Sequence, residues 1–268
     1  MSSSLPVGIF DSGIGGLTVA GSIHHLLPGE RLIYFGDTAH LPYGDKSPEA
    51  IKYYSLKIAR MLLEKKCKLI VIACNTASSY AFNDVVQFLG HEVPIVNVID
   101  PVVEQVVAHD AYRKIGVIGT KATIRSNIYP EKLLAANPAL RVSSLATPLL
   151  APMIEEGFFN NNISSTLIHS YLSSPKLKGI DSLILACTHY PLIKGEIGAF
   201  YGGKVDIVNT AEIVAEYVRR RLTELDLLND GPPGRHQFYV SDHTTSFEKS
   251  TRIFFGEKIH LKLNNIWS

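Results

Sequence analysis

Residues 68–78, Lys68-Leu-Ile-Val-Ile-Ala-Cys74-Asn75-Thr76-Ala-Ser78, run five apolar residues straight into a thiol, then into two residues suited to opening a helix. Such a run reads as a buried strand. In open α/β sheets, ligands lie just beyond the carboxyl ends of the strands, where helix N-termini offer unpaired N–H groups. Cys74 therefore stands where a reacting atom would be. The same design returns at Asp181-Ser-Leu-Ile-Leu-Ala-Cys187-Thr188-His189-Tyr190-Pro191, which is again an apolar strand ending in Ala-Cys before a hydroxyl residue.

Around these two stretches, strands and helices alternate. A strand from Leu5 to Phe10 leads through Asp11-Ser12-Gly13-Ile14-Gly15-Gly16 into a helix that Pro28-Gly29 ends. A second strand, Arg31 to Gly36, is followed by the loop Asp37 to Gly44 and by a helix capped at Ser47-Pro48 that runs to about Lys66. After Cys74 come a helix to Leu89 and a short strand from Pro94 to Ile99. The rhythm predicts a parallel, doubly wound sheet. At Asp100-Pro101 it begins again, with Asp100 expected to cap the next helix and Lys114 to Gly119 to form a strand before Thr120. Val7-Gly8-Ile-Phe-Asp11 and Ile115-Gly116-Val-Ile-Gly119 are alike, and the spacing from Gly8 to Cys74 is close to that from Gly116 to Cys187. Two related α/β halves, each delivering one thiol, are expected. Val205 to Asn209, a helix from Thr210 to Glu224, the turn Gly231-Pro-Pro-Gly234 and a strand at Gln237-Phe-Tyr-Val complete the chain.

The 268 residues carry 26 basic and 25 acidic side chains, a net charge of +1. No excess of positive charge is available for a nucleic-acid backbone or an anionic membrane, so the expected partner is a small molecule. No apolar run approaches the roughly 18 residues of a membrane span, and Met1-Ser-Ser-Ser-Leu-Pro lacks a signal-peptide plan, which reads as a cytoplasmic protein. Three cysteines cannot all pair; in a reducing compartment they stay thiols. A homodimer is compatible with the 46% apolar content.

Two thiols facing one cleft can act as opposed proton carriers, one as thiolate and one as thiol. That is the requirement of a two-base racemase, and a helix N-terminus or a nearby cation favours the thiolate. The alternative is that both cysteines merely fill core at strand ends. Asp11 reads either as a cap of the Leu17 helix or as a partner of the thiol, and Tyr43 and Thr123 as loop structure or as ligands. The glycine-rich turn lacks the Gly-Lys-Ser/Thr of a phosphate loop. Cys187 and His189 lack further cysteine or histidine neighbours for a metal site, so no metal is expected. Neither Lys46 nor Lys121 is marked for a pyridoxal cofactor, Cys67 reads as a bystander, and the remaining histidines as surface residues.

Asp11-Ser12-Gly-Ile-Gly-Gly16, Pro42-Tyr43-Gly44, Cys74-Asn75-Thr76-Ala77-Ser78, Gly119-Thr120-Lys-Ala-Thr123 and Cys187-Thr188-His189-Tyr-Pro191-Leu192 together resemble the glutamate racemase family, in order and across nearly the whole chain. The resemblance implies a cofactor-independent enzyme that interconverts L- and D-glutamate for peptidoglycan. It implies two doubly wound parallel-sheet domains with the active site between them: residues 1–98 with 211–268, and residues 99–210. It assigns Cys74 and Cys187 as the acid/base pair, with Asp11, His189 and Glu155 assisting, and Asp11, Ser12, Tyr43, Gly44, Asn75, Thr76, Thr120, Thr123, Thr188 and His189 as substrate contacts. The chain departs from the family pattern at Asn209-Thr210-Ala211, where many members carry Asp-Ser-Ala, and at Asp100, where Glu is commoner. A racemase of another acidic or cyclic substrate such as aspartate, a thiol hydrolase with Cys187 as nucleophile and His189 as base, and a ligand-binding or regulatory protein are the alternatives.

Overall fold

The structure is a computed structural model and describes residues 2–232 and 234–267, so Pro233 of the expected Gly231–Gly234 turn lies outside the described residues. The first stretch runs β1 (Val7–Asp11), α1 (Leu17–Leu26), β2 (Leu32–Gly36), α2 (Pro48–Glu64), β3 (Leu69–Ile72), α3 (Asn75–Leu89) and β4 (Ile95–Asn97). Next follow α4 (Asp100–Val107), β5 (Lys114–Gly119), α5 (Lys121–Arg125), α6 (Ile128–Ala136), β6 (Arg141–Ala146), α7 (Leu150–Glu155) and α8 (Asn162–Leu172). The chain continues through β7 (Ser182–Ala186), α9 (Lys194–Tyr201), β8 (Asp206–Val208), α10 (Thr210–Glu224), β9 (Gln237–Val240), α11 (Thr245–Phe255) and β10 (Leu261–Leu263).

These strands form two sheets, ordered β10-β9-β2-β1-β3-β4 and β6-β5-β7-β8, in which every pairing is parallel. The order β2-β1-β3-β4 in the first sheet is repeated as β6-β5-β7-β8 in the second. β1, β2, β3 and β7 are buried on both faces, which explains their uninterrupted apolar sequences. Packing repeats as well. A side chain at Gly8 would sit 2.8 Å from Cys67 Sγ, and one at Gly116 would sit 2.7 Å from Ile180 Cδ1. Cys67 and Ile180 each stand just ahead of the strand that carries a thiol at its far end, so Cys67 is a packing residue, and burial pushes its thiol up to about 12.

Two local expectations change, and two elements had not been foreseen. Asp100 does not cap α4: Asn97 Oδ1 accepts from the N–H groups of Ile99 and Asp100 at 2.8 Å, while Asp100 pairs with Lys132 at 2.7 Å. Two of the remaining histidines are structural rather than superficial, since His236 Nδ1 accepts from the Leu32 N–H at 3.1 Å and the His40 ring stacks on Tyr54. β6 and α11 had no clear sequence signal, because Arg-Val-Ser-Ser-Leu-Ala is a half-exposed edge strand without a continuous apolar run. At the family departure, Asn209 does what an aspartate would do there, its Oδ1 accepting from the Ala211 N–H at 3.2 Å at the start of α10.

After the second sheet, α10 returns to pack against α1 and α4, and β9 pairs with β2. A fully buried ion pair fixes this return. Lys68 Nζ lies 2.6 Å from Glu30 Oε2 and donates to the carbonyls of Ser3 and Leu227 at 2.5 and 2.7 Å; Glu30 Oε1 accepts from the Asn229 N–H. Lys68→Ala, which strands a buried carboxylate, is expected to lower the unfolding free energy by about 3–5 kcal/mol. Lys68→Met with Glu30→Leu is expected to cost much less. Urea midpoints check both; a Lys68→Ala midpoint equal to that of the unaltered chain would contradict this role.

Candidate active site

Asp11 ends β1 and is fully buried. Its Oδ2 accepts from the Gly13 N–H at 3.1 Å, and its Oδ1 is buried without a hydrogen-bond partner among the described residues. Tyr34 supports the glycine-rich turn by donating to the Gly13 carbonyl at 2.7 Å. Beside Asp11 on the sheet, Cys74 is the N-cap of α3: its sulfur accepts from the Ala77 N–H at 3.4 Å and lies 3.7 Å from Ser12 Oγ. The helix terminus alone would favour a thiolate. Burial and the neighbouring Asp11 carboxylate outweigh it and push the Cys74 thiol up to about 12. Asp11 is itself raised by burial, against the pull of the His189 charge and of the turn's N–H groups.

At the end of β7, Cys187 Sγ lies 3.6 Å from His189 Nδ1, and His189 Nε2 lies 2.8 Å from Glu155 Oε1 at the end of α7. Burial opposes a charge on His189, but the contacts with Cys187 and Glu155 outweigh it and raise the imidazole from 6.5 to about 10. Phe254 of α11 covers the ring edge-on, with centroids 5.3 Å apart. No local pattern announced this contact.

The two thiol-bearing turns meet directly. Thr18 Oγ1 of α1 donates to the Thr188 carbonyl at 2.8 Å. A side chain at Gly15 would fall 2.3 Å from the His189 ring and 2.5 Å from Thr188 Oγ1. The glycine-rich turn is thus bare to let the second turn in. Further along the junction, Thr76 Oγ1 lies 2.9 Å from Thr120 Oγ1 and 3.0 Å from Thr123 Oγ1, and Thr120 donates to Thr123 at 3.0 Å. Gly44 packs on Thr120, where a Cβ would come within 2.9 Å. Asn75, buried next to Cys74, accepts from Tyr129 Oη at 2.7 Å. Cys74, Ser12, Asp11, Asn75, Cys187, Thr188, His189, Glu155 and the three threonines are therefore brought together. Tyr43 differs: its hydroxyl donates to Asp37 at 2.7 Å inside the first half, so that proton is not available to a ligand. Asp37 also accepts from Ser241 Oγ and Trp267 Nε1. Thr18, Tyr34, Asp37, Tyr129 and Phe254 are supports that the sequence did not mark.

Because the histidine is raised from 6.5 to about 10, its charge adds stability that is complete below pH 6.5 and is lost as pH climbs through about 10. Urea midpoints of the unaltered chain are expected to fall across this window, and His189→Asn to remove that part of the slope. Identical slopes in the two chains would refute the charged histidine.

The sequence profile of the Asp/Glu/hydantoin racemase family matches residues 17–218. The glutamate racemase of Geobacter metallireducens is 43% identical over 254 residues, covering 94% of this chain and 93% of that protein. That of Chlorobaculum parvum is 40% identical over 260 residues, covering 97% and 95%. Among solved structures, glutamate racemase from Francisella tularensis in complex with D-glutamate superposes with a TM-score of 0.93 at 36% identity, covering 99% of each chain. Glutamate racemase from Thermus thermophilus in complex with β-chloro-D-alanine gives 0.88 at 36% identity, covering 98% of each. With its two parallel sheets and its paired strand-end thiols, this chain belongs to the Asp/Glu/hydantoin racemase family.

Proposed function

We infer that this chain is a glutamate racemase, an isomerase that interconverts L- and D-glutamate without a cofactor by means of a thiol pair and so supplies D-glutamate for peptidoglycan. The observation that carries this reading is the repeat of one design: β3 and β7, equivalent strands of two sheets with the same order, each end in a buried cysteine flanked by an ionisable helper. The identity to glutamate racemases over nearly the whole chain supports the substrate. We assign the reaction to the cytoplasm, where three unpaired thiols stay reduced. Among the described residues no helix is long and apolar enough to cross a membrane. We assign residues 1–98 with 211–268 to one domain and 99–210 to the other, a division supported by the membership of the two sheets.

In this reading, one sulfur as thiolate removes the proton from the substrate Cα, and the electron pair of the broken C–H bond moves toward the α-carboxylate. The opposite thiol then delivers its proton to the other face. The product has inverted configuration, and the sulfurs have exchanged protonation states. We assign Asp11 to take the Cys74 proton; its carboxylate is near enough to influence that sulfur, and protonating it removes the charge that opposes a thiolate. We assign His189 to exchange a proton with Cys187, a role supported by its contacts with that sulfur and with Glu155. We assign Ser12, Asn75, Thr76, Thr120, Thr123 and Thr188, with the backbone of Tyr43 and Gly44, to the substrate's carboxylates and ammonium. Hydrogen bonds to the α-carboxylate strengthen as negative charge gathers there, and most of these groups are buried from water.

Circular dichroism with L-glutamate, D-glutamate and L-aspartate in separate cells, without pyridoxal phosphate or metal, tests the reading. Signal decays from both glutamate enantiomers and persists with aspartate if it holds. Cys74→Ser and Cys187→Ser are each expected to lower kcat in both directions by about 10²–10⁴-fold, and turnover is expected to show a bell-shaped pH profile. Most activity surviving in either variant would overturn the two-base assignment.

A further inference from the structure

The amide of Asn75 is set by a residue from the other half of the molecule. Asn75 opens α3 directly after Cys74 and is buried. Its Oδ1 accepts from Tyr129 Oη at 2.7 Å, while its Nδ2 is buried with no hydrogen-bond partner among the described residues. Tyr129 lies on α6 and packs in the apolar cluster with Ile115, Val117 and Leu133 behind the second sheet. Its ring is almost fully buried, and burial keeps the hydroxyl protonated, so it remains a donor.

The two ends of an asparagine amide have nearly the same shape and opposite hydrogen-bond sense. A buried N–H left without an acceptor is unfavourable unless something that enters later supplies one. Beside Cys74, the group that enters is the substrate. We propose that Tyr129 is a positioning residue for the racemase: by occupying Oδ1, it holds the Asn75 amide with its NH₂ end free, so that the site offers a donor to a substrate carboxylate. Without the hydroxyl, nothing holds the amide in this orientation against the one turned about its last torsion, which presents a carbonyl oxygen that repels the same carboxylate. Because the hydroxyl comes from α6 and the amide from α3, this orientation is set only when the two halves are together. The inference rests on the glutamate racemase reading and adds to it a residue that touches neither thiol.

Tyr129→Phe keeps the ring and removes the hydroxyl alone. Its racemisation kinetics are compared with the unaltered chain, Asn75→Ala, the double variant and Asn75→Asp. In Tyr129→Phe, KM for both enantiomers is expected to rise about tenfold or more, with kcat changed by less than about threefold. In the Asn75→Ala background, the same substitution is expected to leave KM where it was, because the amide it acts through is gone. A purely structural role lowers the melting temperature without moving KM. An unchanged KM in Tyr129→Phe, or an equal rise in the Asn75→Ala background, overturns the proposal. Asn75→Asp keeps the acceptor facing Tyr129 and puts a negative oxygen where the NH₂ was; it is expected to raise KM at least as much as Tyr129→Phe. An unchanged KM there overturns the proposal even if Tyr129→Phe fails to fold. If the unaltered chain racemises neither enantiomer, the functional reading falls first and the positioning role with it, whereas normal racemisation with an unmoved KM defeats only the positioning role.

Discussion

Two sulfurs can serve one carbon only if the strand ends that carry them face each other, and the contact that fixes this is small. Thr18 Oγ1 reaches from α1 to the Thr188 carbonyl, and Gly15, lacking a side chain, lets the His189 ring lie against the first turn. Any side chain at Gly15 would occupy the space of His189 and Thr188, so the second thiol and its helper would be pushed away from the first. The threonine triangle of Thr76, Thr120 and Thr123 extends the same junction. Gly15 serves close approach between protein segments rather than to a phosphate, and no phosphate-loop lysine follows the turn.

The environments of the two sulfurs differ although the strands are equivalent. Cys74 is buried beside a carboxylate and keeps its proton; Cys187 lies beside an imidazole that Glu155 and the sulfur itself hold charged. Carboxylate on one side and imidazolium on the other make an electrostatic gradient across the space between them, and the His189 charge reaches as far as Asp11. In the proposed reaction the helpers are of opposite kinds: a carboxylate can take up the proton of its sulfur, and an imidazolium can give one to its own.

Much of this was legible in the sequence because it is local. Apolar runs of five and four residues, each ending in Ala before a Cys, mark doubly buried strands, and the two together marked the repeat that the strand order bears out. What escaped was non-local. Tyr129, Tyr34 and Asp37 act through single hydroxyl or carboxylate contacts to residues distant in sequence, and no periodicity announces such a contact. β6 escaped because an edge strand need not be apolar on both faces. Which sulfur keeps its proton was not legible, because a helix N-terminus is visible in sequence, whereas complete burial beside Asp11 is a property of the folded site.

The pairing of β9 with β2 has a consequence for how the chain is made. Ile33 of β2 lies opposite Gln237 of β9, so the whole of the second sheet is interposed in sequence between the two strands. During synthesis, β1, β2, β3 and β4 emerge early, and one side of β2 stays unpaired until residues beyond 237 have left the ribosome. An open parallel edge of buried apolar residues is a site for wrong pairing between nascent chains. The second half is therefore translated while the first sheet still lacks β9 and β10, and the strand that covers the open side of β2 comes from beyond the whole of the second sheet.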